Sequence, residues 1–399
     1  MKRRNFIKNA GLATVATVST VNPMSFLAFP NRKKIKIGII GTGDRGAGCI
    51  PLINSVPELE VIACCDILPF RLENGLKRAG ISLGYKDYKQ LLSNKDIDAV
   101  MVATPFSTHS QIEQDAIAAG KHVYGEKTMA KGYEGIKDLL KSKNPNLIFQ
   151  TGHQYHSSRL YTHVVDLIRN GKVGKIIAFE CQWNRNGDWR RPVPEPKAKY
   201  EKLVNWRMYK EYSGGLTAEL CSHQIDFVNW VLKSTPTQVM SSGGVDYWKD
   251  GRETYDNVHH IFDYPGGIRA KFTCLTANAS GDYQIKVMGD KGTIILEYSK
   301  AWFYPEGKEN KVIGEVDGVA GATVTWEKGK GIPITIKHED STKQAFIDFA
   351  DAIQKKREPM SNMYSGAKAA ICVQMGLDAL YENKIISWPK EFDALLSNV

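Results

Sequence analysis

The sequence contains no run of about 18 or more apolar residues, so it offers no helix able to span a bilayer. Cysteine is scarce: seven in 399 residues, at Cys49, Cys64, Cys65, Cys181, Cys221, Cys274 and Cys372. They are odd in number, scattered and mostly inside apolar runs, which excludes a disulfide framework and reads as buried small hydrophobes. No cluster has zinc or iron spacing, so no metal is expected. His259 and His260 are neighbours in a strand pattern and face opposite sides. A Gly-x-Ser-x-Gly nucleophile elbow is missing, as are internal repeats and low-complexity segments. A concentrated basic face is missing too. Lys2, Arg3, Arg4 and Lys8 supply four of the ten net positive charges, and the remainder is too weakly basic to indicate nucleic acid.

What is present is ordinary globular composition, 42% hydrophobic and 24% charged, on a chain long enough for two domains. Residues Arg3-Arg4-Asn5-Phe6-Ile7-Lys8 precede a weakly apolar stretch from Ala10 to Val21, the layout of a twin-arginine export leader. A leader over residues 1–30 and a periplasmic location are therefore expected. No small-x-small triplet stands near Phe29-Pro30, so cleavage and retention of the leader both stay open, and the first cysteine, Cys49, comes too late for lipid anchoring.

From Lys34 to Ile40 a short apolar strand pattern runs into Gly41-Thr42-Gly43-Asp44-Arg45-Gly46, and a helical pattern follows through Ile53. A second apolar run from Leu59 to Cys65 ends in Asp66, placed where a dinucleotide fold needs a carboxylate. Gly41 allows the tight turn, Gly43 lets backbone amides approach a pyrophosphate, and Gly46 lets helix pack on strand. Asp66 would accept the adenosine ribose hydroxyls and repel a 2′-phosphate, which favours NAD over NADP. Further strands at Ile97–Ala103, His122–Gly125 and Leu147–Thr151, with a helix over 108–119, extend a doubly wound parallel sheet.

After about Ser157 the pattern changes to one helix, 159–170, and then long β-rich segments: 176–183, 258–263, 268–275, 284–288 and 293–297. The expected fold is α/β: a Rossmann domain over 31–155, a second domain with an open, largely antiparallel sheet over 156–340, and C-terminal helices over 341–399 packing back on the core. Glu219 and His223 are i and i+4 on a helical stretch, with Asp226 continuing the stripe. The carboxylate is expected to touch the imidazole, raise its pKa and hold one tautomer, as a group taking a proton from an alcohol requires. Lys127 follows a strand at the carboxyl edge of the parallel sheet, where such sheets bind ligands. Tyr155 and His156 follow the last strand of that sheet. The segment Trp183 to Arg191 mixes aromatics with Arg185, Arg190 and Arg191, suited to stacking on a pyranose and pairing with an anionic substituent.

The chain resembles the Gfo/Idh/MocA family of NAD(P)-dependent oxidoreductases in the glycine loop, in Thr104-Pro105 with His109, in Glu126-Lys127 and in Trp206-Arg207. Gly214-Gly215-Leu216 leading into Glu219-Leu220-Cys221-Ser222-His223 completes the likeness, which covers about Lys34 to Pro389. Two positions depart from it: Thr128 stands where the family commonly has Pro, and Glu219 where it commonly has Asp. The resemblance implies a homo-oligomer built through the second sheet, and sugars, polyols or glycosides as substrates. It also implies that Thr104, Pro105, His109, Glu126 and Lys127 face the cofactor, that Trp183, Arg185, Arg190, Trp206, Arg207, His223 and Asp226 face the sugar, and that Lys127, His223 and Glu219 handle the hydroxyl proton. Tyr155 or His156 would take a carbon-bound proton. An exported enzyme would hold its NAD tightly and recycle it in place, which redox-neutral glycoside hydrolysis through a 3-keto sugar achieves. A plain sugar dehydrogenase or transhydrogenase, and a non-catalytic NAD-containing sugar-binding protein, are the alternatives.

Overall fold

The computed structural model describes residues 34–193, 195–306, 331–337 and 339–397, and the leader expected over 1–30 lies outside them. Two sheets organise the fold. The first is parallel, built from β1 (Ile35–Ile40), β2 (Leu59–Cys65), β3 (Gly84–Tyr85), β4 (Ala99–Val102), β5 (His122–Gly125) and β6 (Phe149–Thr151), in the order β3-β2-β1-β4-β5-β6. Its central strands are nearly uninterrupted Ile, Val, Ala and Met because helices cover both faces. The crossovers are α1 (Asp44–Asn54), α2 (Pro69–Ala79), α3 (Tyr88–Ser93), α4 (His109–Ala118) and α5 (Tyr133–Lys141). α2 opens with Pro69 and closes on Gly80 at φ +68°, the usual punctuation of a helix.

After α6 (Arg159–Arg169), β7 (Ile176–Trp183) and the helix α7 (Glu201–Val204) lead to α8 (Ser222–Leu232). β8 (Gln238–Gly244), β9 (Asn257–Tyr264), β10 (Ile268–Leu275), β11 (Tyr283–Gly289), β12 (Gly292–Glu297), β13 (Lys300–Pro305) and β14 (Ile332–Ile334) follow. Beyond α9 (Ser341–Lys355) and α10 (Met363–Glu382), β15 (Ile386–Ser387) joins the far edge of the second sheet, whose order is β14-β13-β12-β11-β7-β10-β9-β8-β15. It is mixed and mostly antiparallel, with β7 and β10 parallel. In β9 Val258, His260, Phe262 and Tyr264 are buried while His259 and Ile261 are exposed, so one face meets the helices and the other is open. The open face is charged: Lys286 and Lys271 pair with Glu180, and Arg269 with Asp263.

The described residues, from Lys34 onward, form one compact unit. α9 returns to the first sheet, where Phe346 and Phe349 pack on Tyr124 with ring centroids 4.8 and 5.7 Å away. Burial of each phenyl ring contributes about 1.5–3 kcal/mol. All seven cysteines are buried and free. Among the described residues no helix is long and apolar enough to cross a membrane.

Candidate active site

A cleft of about 960 Å³ runs from the glycine loop, past the carboxyl ends of β1, β4 and β5, to the face of α8. At one end Gly41 turns at φ +90°, where a Cβ would stand 2.6 Å from the Ala103 carbonyl oxygen. Gly43 is the N-cap of α1 and supplies no capping side chain, so the first amides of that helix are free to face an anion. Gly46 serves the packing, since a Cβ there would meet the Gly41 oxygen at 1.9 Å. Asp66 lines the cleft with its carboxylate fixed by the Thr42 and Leu68 amides, each at 2.8 Å. Each oxygen keeps a lone pair for a ribose hydroxyl. Thr42 itself is a correction: its side chain is buried and donates to the Arg71 carbonyl, so it supports Asp66 from behind.

At the middle of the cleft Arg45 donates through Nε to Glu126 at 2.6 Å. Thr104 and Pro105 line the wall, and buried His109 sits 2.9 Å from both the Thr104 and the Thr128 carbonyl oxygens, tying the two turns together. The peptide between Lys127 and Thr128 is cis. Lys127 Nζ donates to the Glu219 carbonyl at 2.7 Å and Thr128 Oγ1 donates to the Ala218 carbonyl at 3.0 Å, which pins the turn after β5 to the segment that leads into α8. Burial lowers the Lys127 ammonium pKa, against the pull of Glu219 and Glu126.

The expected Glu219–His223 pair does not form. Residues 217–221 make a π-type turn in which the Ser222 amide reaches back five residues to the Thr217 carbonyl. The Glu219 carboxylate instead accepts from Arg207 Nε at 2.7 Å, and the Arg207 guanidinium lies 4.3 Å over the Trp206 ring. Burial pushes the Glu219 carboxyl up, but Arg207 and Lys127 outweigh it and hold the pKa below the ordinary range. His223 is surrounded by the rings of Tyr155 (5.1 Å), Trp183 (5.7 Å) and His153 (5.8 Å). Burial first, then Lys127, push its pKa well below normal, opposite to the expectation of a raised value.

Three further residues are placed differently from expectation. Asp226 does not face the cleft; it pairs with His156 at 2.9 Å, both side chains 3% exposed, and the His156 ring stacks on Trp230 at 4.3 Å. Tyr155 is also beneath the wall, stacked on Tyr161 at 4.3 Å. Successive residues of one short helical turn diverge, and the member of this turn that lines the cleft is Gln154. Trp183, Arg185, Arg190, Trp206 and Arg207 all line it. Arg190 is committed to Glu201 at 2.5 Å and to Asp250, whereas Arg185 lies 5.3 Å over Trp183 with no carboxylate partner among the described residues.

Residues 188–193 and 195–205 cross the cleft as a strap. Arg191 pairs with Asp44 of the glycine loop at 3.0 Å, while Tyr200 and Lys197 pack on Phe70 of α2. Trp189, within the segment its aromatic and Arg content had singled out, and Asn205, which no pattern signalled, line its underside.

Residues 35–152 match the oxidoreductase family with an NAD-binding Rossmann fold, and residues 161–295 match the Gfo/Idh/MocA C-terminal domain. The chain belongs to the Gfo/Idh/MocA family. Curated Gfo/Idh/MocA relatives include the 2,7-anhydro-N-acetylneuraminate hydratase of Escherichia coli K12, 28% identical over 66% of this chain and 68% of that one. The myo-inositol 2-dehydrogenase of Thermotoga maritima is 24% identical over 66% and 75%. A glycosyl hydrolase family 109 protein of Shewanella amazonensis is 25% identical over 48% of this chain and 46% of its own length. In fold the chain resembles a levoglucosan dehydrogenase solved with NADH and levoglucosan, at TM-score 0.71 and 17% identity, covering 90% of this chain and all of that one. The protein is thus an enzyme of the Gfo/Idh/MocA type with an NAD-binding domain, and the glycine loop, uncapped α1 and Asp66 fit that cofactor.

Proposed function

We propose that this protein is an exported NAD-dependent enzyme that oxidises the 3-hydroxyl of a sugar, acting as a redox-neutral glycoside hydrolase. Gly41, Gly43, Asp66 and the first amides of α1 would hold NAD, which would supply a reversible hydride acceptor and so allow hydrolysis with no net change in the cofactor. The observation that carries the reading is the convergence of Lys127, from the first domain, with Glu219 and His223, from the second, on one end of the cleft whose other end is the glycine loop. The ammonium of Lys127, held on the Glu219 carbonyl, polarises the substrate hydroxyl. His223, kept neutral by burial, takes the hydroxyl proton.

Trp183 and Trp206 offer aromatic surface for a pyranose, and the guanidinium of Arg185, without a carboxylate partner among the described residues, suits an anionic substituent such as a carboxylate or sulfonate, ahead of an N-acetyl group. The strap across the cleft supports tight retention of NAD, which an enzyme acting outside the cytoplasm needs. Export by the twin-arginine leader and assembly of copies through the charged open sheet belong to the same proposal.

The test is a panel of neutral, N-acetylated and acidic p-nitrophenyl glycosides with trace NAD. Nitrophenolate in large excess over NAD, without net NADH, is expected. Stoichiometric NADH from a free sugar, with no aglycone release, would make the protein a dehydrogenase. Normal sugar processing in cells carrying Lys127 and His223 substitutions would make it a non-catalytic sugar-binding protein.

A further inference from the structure

A general base in this cleft needs a partner that Glu219 does not provide. A neutral imidazole accepts a proton at whichever nitrogen carries the lone pair, and a hydrogen-bond acceptor facing the other nitrogen fixes that tautomer. His223 lines the cleft, and its Nδ1 is buried and without a hydrogen-bond partner among the described residues. Three rings stand around it. Tyr155 is committed to the Tyr161 and Tyr283 hydroxyls. Trp183 has a buried, unpartnered Nε1, but an indole N–H only donates, and donation to Nδ1 would leave the proton on the wrong nitrogen of His223. His153 is different.

His153 is fully buried, stands at right angles to His223 with the ring centres 5.8 Å apart, and also has an unpartnered nitrogen, Nε2. Its Nδ1 lies 3.4 Å from Thr151 Oγ1, which is bonded to Ser361 Oγ at 2.6 Å. A proton on Nδ1 of His153 therefore has an acceptor, and Nε2 is left as a lone pair on the side without a partner. Behind it stands Asp226, paired with His156. Nδ1 of His223 and Nε2 of His153 meet only by rotation of a ring or through one bridging water.

We propose that His153 is a positioning residue for His223: its Nε2 accepts from Nδ1–H of His223 and so leaves Nε2 of His223 free to take the substrate proton. This rests on the reading of His223 as the base. The charged or titratable groups acting on the pair are Lys127 and Arg45 toward His223, and Asp226, His156, Lys127 and Glu126 toward His153. Asp226 favours a proton arriving in the column, so the buried carboxylate gains a role that its absence from the cleft had removed.

The test uses the full chain with NAD and has two readouts. In 15N-histidine-labelled protein, the His223 ring, assigned by its loss in His223→Gln, is expected as the Nδ1–H tautomer; an Nε2–H tautomer would overturn the proposal without any activity measurement. In kinetics on the glycoside or sugar found by the panel, His153→Phe is expected to lower kcat roughly a hundredfold, the size of a general-base contribution, with KM little changed and the acid limb of the pH profile displaced. His153→Gln, whose amide oxygen can accept from Nδ1–H, is expected to recover most of kcat and also serves if the Phe variant does not fold. Wild-type kcat and pH profile in His153→Phe would overturn the proposal. Full activity in His223→Gln would instead overturn the role of His223, so the two failures are distinct.

Discussion

Arg207 holds Glu219 through a single 2.7 Å hydrogen bond, and that bond removes from His223 the carboxylate its helical spacing had promised. The pair is also where the two halves of the site meet, because the carbonyl of Glu219 carries the Lys127 ammonium.

Replacement of Arg207 by Gln is expected to destabilise the protein by roughly 1–3 kcal/mol at pH 7, the cost of leaving a buried charge poorly paired. The Glu219 pKa lies below its ordinary value, so its contribution to stability is present above the unfolded carboxylate pKa and is lost as pH falls through the folded one. The gap between variant and wild type should therefore narrow in acid. Urea unfolding at pH 7 and near pH 4 checks this, and an equal gap at both would refute it.

Lys127→Met should abolish turnover by at least about a hundredfold while NAD still binds, since a neutral side chain cannot polarise the substrate hydroxyl and the glycine loop and Asp66 are untouched. Quenching of tryptophan fluorescence by NAD, measured beside turnover, separates the two effects.

Glu113 on α4 is fully buried, and among the described residues neither carboxyl oxygen has a hydrogen-bond partner. Burial raises its pKa well above normal. Stability is fullest below the unfolded carboxylate pKa, where both states are protonated, and is lost as pH rises toward the folded value. Glu113→Leu is expected to stabilise the protein at pH 7 and to flatten this decline. Urea midpoints from pH 4 to 8 for both proteins test it; parallel curves would count against it.

The Arg191–Asp44 pair closes the strap over the cofactor cleft, but both side chains are well exposed, so its worth is at most about 1 kcal/mol. Arg191→Glu should speed NAD release up to several-fold, Asp44→Lys added to it should restore the slower rate, and 1 M salt should erase the difference. Stopped-flow displacement of NAD measures all three.

Much of the fold was legible. The strands Leu59–Cys65, His122–Gly125, Ile176–Trp183 and Ile268–Leu275 and the helix Ser341–Lys355 have the bounds their hydrophobic periodicity implied. α2 was not anticipated, although Pro69 and Gly80 mark its ends. β13, β14 and β15, at or next to the edges of the second sheet, escaped because strands of two to six residues carry too little alternation to register. In the site, the residues named by the glycine loop and by Lys127 line the cleft, whereas Thr42, Tyr155, His156 and Asp226 lie behind its wall.

The sequence by itself determined the element types, the dinucleotide loop and the identity of the reactive side chains, because periodicity and glycine placement act over a few neighbouring residues. Only the tertiary structure decided the partners. Whether Glu219 meets His223 or Arg207 depends on one π-type turn and on a loop 12 residues earlier. Likewise, His153 meets His223 edge-on only because the turn after β6 packs against α8, 70 residues further along the chain. Such contacts are set by packing between distant segments, where a rotation of one residue redirects a side chain, and no local pattern encodes it.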